Sequence, residues 1–216
     1  MIPPEPVRWE TARTEGALGT DTLEVWRASM NAQLPEWSVL APEERVRAEG
    51  MHNAARKAQY VAGHALLNKL RAARGVPLHT SLTHSGAWVF VAVSRGGPVG
   101  VDVELMRPDR PLERLSRRFF PREEQDWLAR SSAAEQVGRF YALWTAKEAL
   151  FKALGMPPNA AHFASRQVFN SETHGSVPRE IVVEGLWVGW FEAAPGYLGA
   201  YAVPSEVMQV RYLLPA

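Results

Sequence analysis

The segment FYALWTAKEALFKALG (residues 140–155) forms the second half of the longest predicted helix, residues 132–155. Its charged residues are Lys147, Glu148 and Lys152, and nearly all of its other positions are apolar. Such a helix is too apolar to lie on the surface, so we expect it to be buried with its charges at the rim of a cleft. Glu148 and Lys152 share a helix face, and an ordinary helix-stabilising ion pair is the alternative.

The segment GVDVE (residues 100–104) ends an apolar stretch with two acids. In a strand, Asp102 and Glu104 project from one face while Val101 and Val103 point into the core. Two neighbouring carboxylates repel each other, and a bound divalent cation such as Mg²⁺ removes that penalty. The pattern therefore allows a metal site, although such a pair of acids taken alone more often lies on a solvated face. The alternative is a solvated face on which the acids stand alone or pair with arginine.

A third polar cluster, Thr83-His84-Ser85, comes directly before a predicted apolar strand. Imidazole and hydroxyl groups donate hydrogen bonds to phosphate, so these residues are candidates for phosphate binding. A histidine that packs in the core or caps an element is the alternative.

The remaining periodicities predict a mixed α and β chain. Further elements are a strand over 22–30 and helices over 41–51, 53–75 and 111–131, the last one broken near Pro121. Residues 81–104 are expected to form an antiparallel hairpin whose two strands are joined by the turn RGGP (95–98). An irregular leader is expected over 1–20, and a β-rich tail from HFASRQVF (162–169) to MQVRYLL (208–214).

Composition excludes several classes of protein. The 216 residues include no cysteine, which excludes a disulfide framework, thiolate metal sites and a cysteine nucleophile. The formal net charge of +1 gives no sign of a nucleic-acid-binding protein. No apolar run is long enough to span a membrane, and the N-terminus lacks the order of a signal peptide. We therefore expect a cytoplasmic protein that acts on neither nucleic acid nor membrane.

The three motifs occur in an order that resembles a known family. THSG (83–86), GVDVE (100–104) and WTAKEALFK (144–152), with RRFFPREE (117–124) between the last two, resemble the 4'-phosphopantetheinyl transferases. The resemblance covers residues 81–155 and is strongest to the single-chain, surfactin-type branch. It implies an α+β fold, a pseudo-dimer of two similar α/β subdomains with the active site in the cleft between them. The subdomains are expected at 1–105 and 106–216.

The resemblance also implies a reaction. Members move the 4'-phosphopantetheine arm of coenzyme A to a serine of an acyl or peptidyl carrier protein and release adenosine 3',5'-bisphosphate. Asp102, Glu104 and Glu148 would hold Mg²⁺, or Mn²⁺ in its place. Glu148, or a water that it orients, would be the base. Lys152 and Lys147 would contact the phosphates of coenzyme A, and Thr83 and His84 would hold phosphate on the nucleotide side.

An arginine-rich stretch follows the metal strand and has the charge needed to attract an acidic carrier protein. Its arginines are Arg107, Arg110, Arg114, Arg117 and Arg118. We expect the carrier to dock near Arg114, Arg117 and Arg118, and the alternative is a solvated charged face. Members of this branch are usually monomers, so a monomer is expected.

The chain departs from the family pattern on the nucleotide side. The Gly-Lys-Pro segment expected shortly before THSG is missing or reduced to RGVP (74–77). Gln59 stands where an arginine is expected, and His64 and Asn68 follow it. The candidates for binding the 3'-phosphate of coenzyme A are Arg45, Arg47, Arg56 and Lys57. The sequence does not distinguish between them, and Arg47 is the residue that we assign to this contact.

Two other functions stay open at this point. One is a degenerate family member that binds coenzyme A or a carrier protein without transfer. The other is an unrelated Mg²⁺-dependent phosphoryl enzyme acting on a small molecule, which the lack of a P-loop disfavours.

Overall fold

The structure is a computed structural model that describes residues 7–30, 37–157, 159–169 and 177–216. It divides into two compact units, one formed by Gly100–Ser205 and the other by Arg8–Val99 with Glu206–Ala216. Each unit combines one β-sheet with helices, so the expected α+β class is confirmed. None of the helices in the described ranges combines the length and apolarity needed to cross a membrane.

The elements follow in chain order. The helices are α1 Pro42–Glu49, α2 Ala54–Arg74, α3 Leu112–Phe119, α4 Arg122–Ala129, α5 Ala133–Ala153 and α6 Ala160–Ser165. The strands are β1 Glu10–Ala12, β2 Thr22–Ser29, β3 His79–Ser85, β4 Trp88–Ser94, β5 Gly100–Leu105, β6 Glu180–Val183, β7 Leu186–Ala194, β8 Tyr197–Pro204 and β9 Gln209–Pro215. The predicted strand over 22–30, the helices before residue 155 and the break at Pro121 are confirmed.

The unit built mainly from the N-terminal half has a five-stranded sheet in the order β1-β9-β2-β4-β3. Helix α2 lies on one face of this sheet. It begins at Asn53, whose side chain accepts the Arg56 N–H, and ends at Gly75 in the left-handed conformation. Leu66 and Leu70 of α2 pack against Trp26 and other buried side chains of the sheet.

The other unit has a four-stranded antiparallel sheet in the order β5-β8-β7-β6. Helix α5 packs on β5, β8 and β7, and most of its side chains are buried. The Trp190 indole of β7 donates to the Ala142 carbonyl of α5 at 2.9 Å, which holds the helix on the sheet. The sequence prediction of a buried apolar helix over 132–155 is therefore confirmed.

The predicted hairpin over residues 81–104 is wrong. Strand β4 pairs with β3 through the tight turn at Gly86, whose φ of 54° suits glycine. The RGGP segment instead connects β4 to β5, which pairs with β8 in the other sheet. Strand β4 lies between β2 and β3, and all of its residues except the half-buried Trp88 are buried. Its long apolar run does not reveal which strands it pairs with.

Two further expectations differ from the structure. Within HFASRQVF, residues up to Ser165 belong to helix α6, where the Asn159 side chain accepts the His162 N–H at 2.9 Å as an N-cap. The expected irregular leader contains strand β1, which pairs with β9; its first six residues lie outside the described ranges.

The predicted subdomain boundary after residue 105 also differs from the two units. Strand β5 belongs with residues up to 205, because it pairs with β8 and packs on α5. Strand β9 belongs with the other unit, because it pairs with β1 and β2. Strand pairing between distant segments decides both assignments, and it is not visible in local periodicity.

Candidate active site

The site forms where α5 approaches β5 at Gly100. A Cβ atom added to Gly100 would lie 1.8 Å from the Ala149 carbonyl oxygen and 2.8 Å from the Ala153 amide nitrogen. Only glycine allows the two backbones to come this close. Because Asp102 and Glu104 follow Gly100 at intervals of two residues, they lie on the same strand face as this contact. The acids of GVDVE therefore face the helix that carries Glu148 and Lys152.

Lys152 reaches back to the strand. Its ammonium group donates to Asp102 Oδ1 at 2.9 Å and to the Val101 carbonyl at 3.0 Å. The Asp102 side chain is 7% exposed and that of Lys152 is 24% exposed, so the pair lies at the edge of the packed region. A partly exposed ammonium beside carboxylates is well suited to hold an anionic group such as phosphate.

Glu148 stands beside the two acids of β5. The pKa of the Glu148 carboxyl is raised to about 7, mainly by burial and also by the charges of Asp102 and Glu104, while Lys152 opposes the shift. Glu148 therefore exchanges a proton near neutral pH in the metal-free protein. Residues of the two motifs that lie 44 to 50 positions apart in the chain therefore interact electrostatically, while their shared metal site stays a prediction.

The three carboxylates are not assembled as a metal centre in this structure. Among the residues that the structure describes, no three Asp, Glu, His or Cys side chains are arranged to hold a metal ion. Asp102 Oδ1 instead accepts a hydrogen bond from the Lys152 ammonium group. The chemistry of the set nevertheless fits Mg²⁺, because it consists of hard oxygen donors whose mutual repulsion a dication would relieve.

Lys147 does not have the predicted role. Its side chain is fully buried and forms an ion pair with Glu124 Oε2 at 2.9 Å. Its ammonium also donates to the Phe163 carbonyl at 2.9 Å and to the Arg166 carbonyl. Full burial between a carboxylate and two carbonyl acceptors keeps this ammonium group away from any bound phosphate. The predicted contact of Lys147 with phosphate is therefore wrong.

Sequence reasoning missed Glu124 and Gly100. Glu124 occurs in RRFFPREE, and it lies on the same face of α4 as the buried Trp127 and Leu128. An acid three and four residues before two core positions is the signal that it is buried and paired. The signal for Gly100 is a glycine at the start of a strand, where it often marks a close approach of another backbone.

The phosphate candidates Thr83 and His84 lie in the other unit, on edge strand β3. Thr83 faces Phe90 across the ladder and is buried, while His84 faces Val89 and is half-buried. Neighbouring residues of a strand point to opposite faces, so the two side chains do not form one cluster. His84 shares its face with Leu82, which contacts α2 at Gly63.

The candidates for the 3'-phosphate differ in their contacts. The Arg45 guanidinium donates to the carbonyls of Leu40 and Ser38, which makes it a local anchor. Arg47 is exposed on α1, with its guanidinium carbon 5.6 Å from the centre of the Tyr60 ring, and Lys57 lies 5.3 Å from the Trp37 ring. Arg47 remains a candidate on this evidence, whereas Arg45 is already engaged.

The residues that replace the family's arginines have structural partners. Gln59 donates to the Gly86 carbonyl at 3.1 Å. His64 Nδ1 lies 2.7 Å from Glu44 Oε1, and Asn68 donates to Glu44 Oε2 at 2.6 Å. These contacts hold α1 against α2, so His64 and Asn68 are explained by the packing of the two helices.

The predicted docking arginines lie on or next to α3. Arg117 pairs with Glu113 one turn earlier at 2.5 Å, and both side chains are more than two-thirds exposed, at 71% and 79%. The Arg118 guanidinium lies 5.3 Å from the centre of the Phe119 ring, and Arg114 is exposed. The partly buried Phe119 packs on the core that contains α5.

Comparison with known proteins agrees with the motifs. Residues 98–180 match the family model of the 4'-phosphopantetheinyl transferase superfamily. The chain is 38% identical over 139 residues to 4'-phosphopantetheinyl transferase Sfp of Bacillus subtilis, covering 62% of this chain and 61% of that protein. It is 29% identical over 167 residues to 4'-phosphopantetheinyl transferase HetI of a Nostoc species, covering 63% and 70%. It is 37% identical over 78 residues to 4'-phosphopantetheinyl transferase gsp of Aneurinibacillus migulanus, covering 36% and 32%.

These matches confirm the resemblance, since residues 98–180 are similar to the 4'-phosphopantetheinyl transferase superfamily. The matched region contains β5, α4 and α5, and with them Asp102, Glu148 and Lys152. The chain spans 61% of the length of Sfp and 32% of that of gsp, which is less than two thirds of either relative.

Proposed function

We propose that this protein transfers the 4'-phosphopantetheine arm of coenzyme A to a serine of an acyl or peptidyl carrier protein. The observation that carries the proposal is the convergence of Asp102, Glu148 and Lys152 where α5 meets β5, within the region that matches the superfamily. The second product is adenosine 3',5'-bisphosphate, the leaving group on the other side of the pyrophosphate.

Lys152 would stabilise negative charge during transfer. The serine hydroxyl attacks the β-phosphorus, the bond to the bridging oxygen breaks, and charge accumulates on the phosphoryl oxygens and the leaving phosphate. An ammonium that is already held in place by Asp102 and the Val101 carbonyl needs little reorganisation to bind that charge.

Glu148, or a water that it orients, would take the proton of the serine hydroxyl. A general base must lie within reach of the proton that it takes, and Glu148 stands beside Asp102 and Lys152, where the attacking hydroxyl would approach. The proton thus moves from the hydroxyl oxygen to a carboxylate oxygen as the new phosphodiester forms.

Asp102, Glu104 and Glu148 would hold Mg²⁺, with Mn²⁺ as a substitute, on the strength of their hard oxygen donors. The ion would neutralise pyrophosphate charge when bound. On the nucleotide side, the proposed phosphate contacts remain Thr83, His84 and Arg47. The location of the active site in a cleft between two similar halves stays a prediction.

The proposed docking surface for the carrier consists of Arg114, Arg117 and Arg118. Reversing Arg117 and Arg118 to Glu is expected to raise KM for the carrier more than KM for coenzyme A. Arg122→Glu is the matched control, because Arg122 is also exposed and paired four residues along its own helix, with Asp126 at 3.1 Å. Equal effects on both substrates, or an equal effect of the control, would count against docking on α3.

A mass spectrum tests the reaction itself. The protein is incubated with coenzyme A, Mg²⁺ and a panel of apo carrier proteins, and a gain of about 340 Da on a carrier marks the transferred arm. We expect the gain to disappear with a chelator and with Glu148→Ala. No gain on any carrier, with coenzyme A binding intact, would instead indicate a degenerate member that binds without transfer.

A further inference from the structure

The ion pair between Lys147 and Glu124 is completely buried in the unit that contains the candidate active site. Both side chains are 0% exposed, and Nζ lies 2.9 Å from Oε2. Burial lowers the pKa of Lys147 and raises that of Glu124, while the partner's charge opposes each shift. A charge pair in this position is maintained only by close geometry and additional hydrogen bonds.

Those hydrogen bonds connect three separate segments. Lys147 lies on α5 and donates to the carbonyls of Phe163 in α6 and Arg166 directly after it. Glu124 lies on α4, and its Oε1 accepts the backbone N–H groups of Val168 at 2.6 Å and Phe169 at 3.3 Å. One ion pair therefore joins α4, α5 and the segment from α6 to residue 169.

This network of one ion pair and four hydrogen bonds, called the Lys147 junction, anchors α5 next to the residues of the helix that the proposed reaction uses. Glu148 follows Lys147 directly, and Lys152 is five residues further along. A helix turns by about 100° per residue, so anchoring Lys147 on one side determines the direction in which Glu148 and Lys152 project. Gly100 sets how closely α5 approaches β5, and the Lys147 junction opposes rotation of the helix about its own axis.

We propose that Glu124 and Lys147 are positioning residues for the transfer reaction, which fix the rotation of α5 so that Glu148 and Lys152 meet Asp102. The proposal rests on the proposed function. A purely structural role is the alternative, and apolar side chains would serve it as well, since replacing a buried ion pair by them is often neutral or stabilising.

The decisive variant removes both charges together. In Glu124→Gln/Lys147→Met, the glutamine oxygen still accepts the Val168 and Phe169 N–H groups, and no unpaired buried charge remains. We expect a cooperatively folded protein whose kcat falls about 10- to 100-fold, as for other residues that orient reacting groups, with KM for coenzyme A little changed. A folded double variant with wild-type kcat would overturn the proposal.

A milder variant covers the case in which the double variant does not fold. Glu124→Asp keeps both charges and withdraws the acceptor by one methylene group. We expect it to fold and to lose about tenfold in kcat, at the lower end of the same range. Unchanged kcat in this variant would equally overturn positioning.

Arg139→Met is the matched control. Arg139 is a buried cation of the same helix, and its Nη1 donates to the Trp127 carbonyl of α4 at 3.2 Å. It lies nine residues before Glu148, or about 13 Å along the helix axis. We expect a lower melting temperature with kcat unchanged at a temperature where all variants are folded. A loss of kcat as large as in the double variant would mean that general loosening of α5 explains both.

Metal binding provides a readout independent of transfer. Mn²⁺ is titrated into wild-type protein and the double variant, and free Mn²⁺ is followed by electron paramagnetic resonance. We expect affinity to fall about 10- to 100-fold in the double variant. If the wild-type protein transfers nothing to any carrier, the proposed function fails, and this comparison tests positioning alone: equal affinities overturn it.

Discussion

Lys147 and Lys152 belong to one motif and one helix, yet the structure gives them opposite environments. Lys147 is fully buried, forms an ion pair with Glu124 and donates to two backbone carbonyls. Lys152 is 24% exposed and its contacts are Asp102 and the Val101 carbonyl. Five residues turn a helix by about 500°, which places the two side chains about 140° apart. The comparison teaches that spacing assigns residues to a motif, while helix rotation decides which of them faces a substrate.

The largest expected difference is in stability. Lys147→Met leaves the Glu124 carboxylate buried without its cation, so we expect the free energy of unfolding to fall by about 3–5 kcal/mol. Lys152→Met removes a partly exposed pair and is expected to cost about 1 kcal/mol. Urea denaturation of both variants measures the difference. Equal losses would break the comparison, because they would mean that burial does not distinguish the two lysines.

The two lysines are expected to rank differently in their effect on transfer activity, as long as the variants are folded. Lys152→Met is expected to lower kcat about 100-fold, because it removes a cation aimed at the charge of the transition state. Lys152→Arg keeps the charge and should recover part of the rate. Steady-state transfer to a carrier protein measures both variants, and wild-type turnover of Lys152→Met would remove Lys152 from the site.

The approach of α5 to β5 can be tested through Gly100. Gly100→Ala places a Cβ against backbone atoms of Ala149, which cannot move aside as a side chain would, so we expect a loss of about 1–3 kcal/mol. The same displacement should separate Lys152 from Asp102 and lower transfer. Gly50→Ala is the control, because its nearest atoms would be 3.7 Å away. Calorimetry on both variants measures the effect, and a Gly100→Ala protein as stable as wild type would refute the close contact.

Glu44 extends the comparison to a carboxylate outside the candidate site and gives the smallest expected effect. Burial alone would raise the pKa of Glu44, but hydrogen bonds from Ala41, His64 and Asn68 outweigh it and lower the pKa below its ordinary 4.5. Its contribution to stability is therefore complete above pH 4.5 and is lost as the pH falls through the lower, folded-state pKa.

Glu44→Gln should thus cost about 1 kcal/mol at neutral pH and flatten the acid limb of the stability curve. Glu43→Gln, on the same turn of α1 but exposed, is the control for loss of charge alone. The midpoints of urea denaturation, measured from pH 3 to 7, show how the stability of each variant depends on pH. If Glu44→Gln has the same acid limb as the wild type, the assigned contacts of Glu44 are contradicted.

Strong local signals were enough to predict most elements. Apolar periodicity and end signals identified α2 and α5, with Gly75 and Gly155 close to their ends. Pro121 marked the break between α3 and α4. The predicted strand over residues 162–169 was wrong, because a short apolar pattern is compatible with either a strand or a helix. The N-cap at Asn159 favours the helix that the structure has.

The sequence by itself determined the resemblance of residues 98–180 to the superfamily, the residue types of the candidate site and the fact that Asp102 and Glu104 share a strand face, because each depends on local spacing. Only the tertiary structure decided that β5 pairs with β8 and that Lys147 pairs with Glu124. It also decided that Lys152 is the lysine that reaches Asp102. The physical reason is that strand partners, helix rotation and burial depend on contacts between segments that are far apart in the chain. Local periodicity contains no information about such contacts.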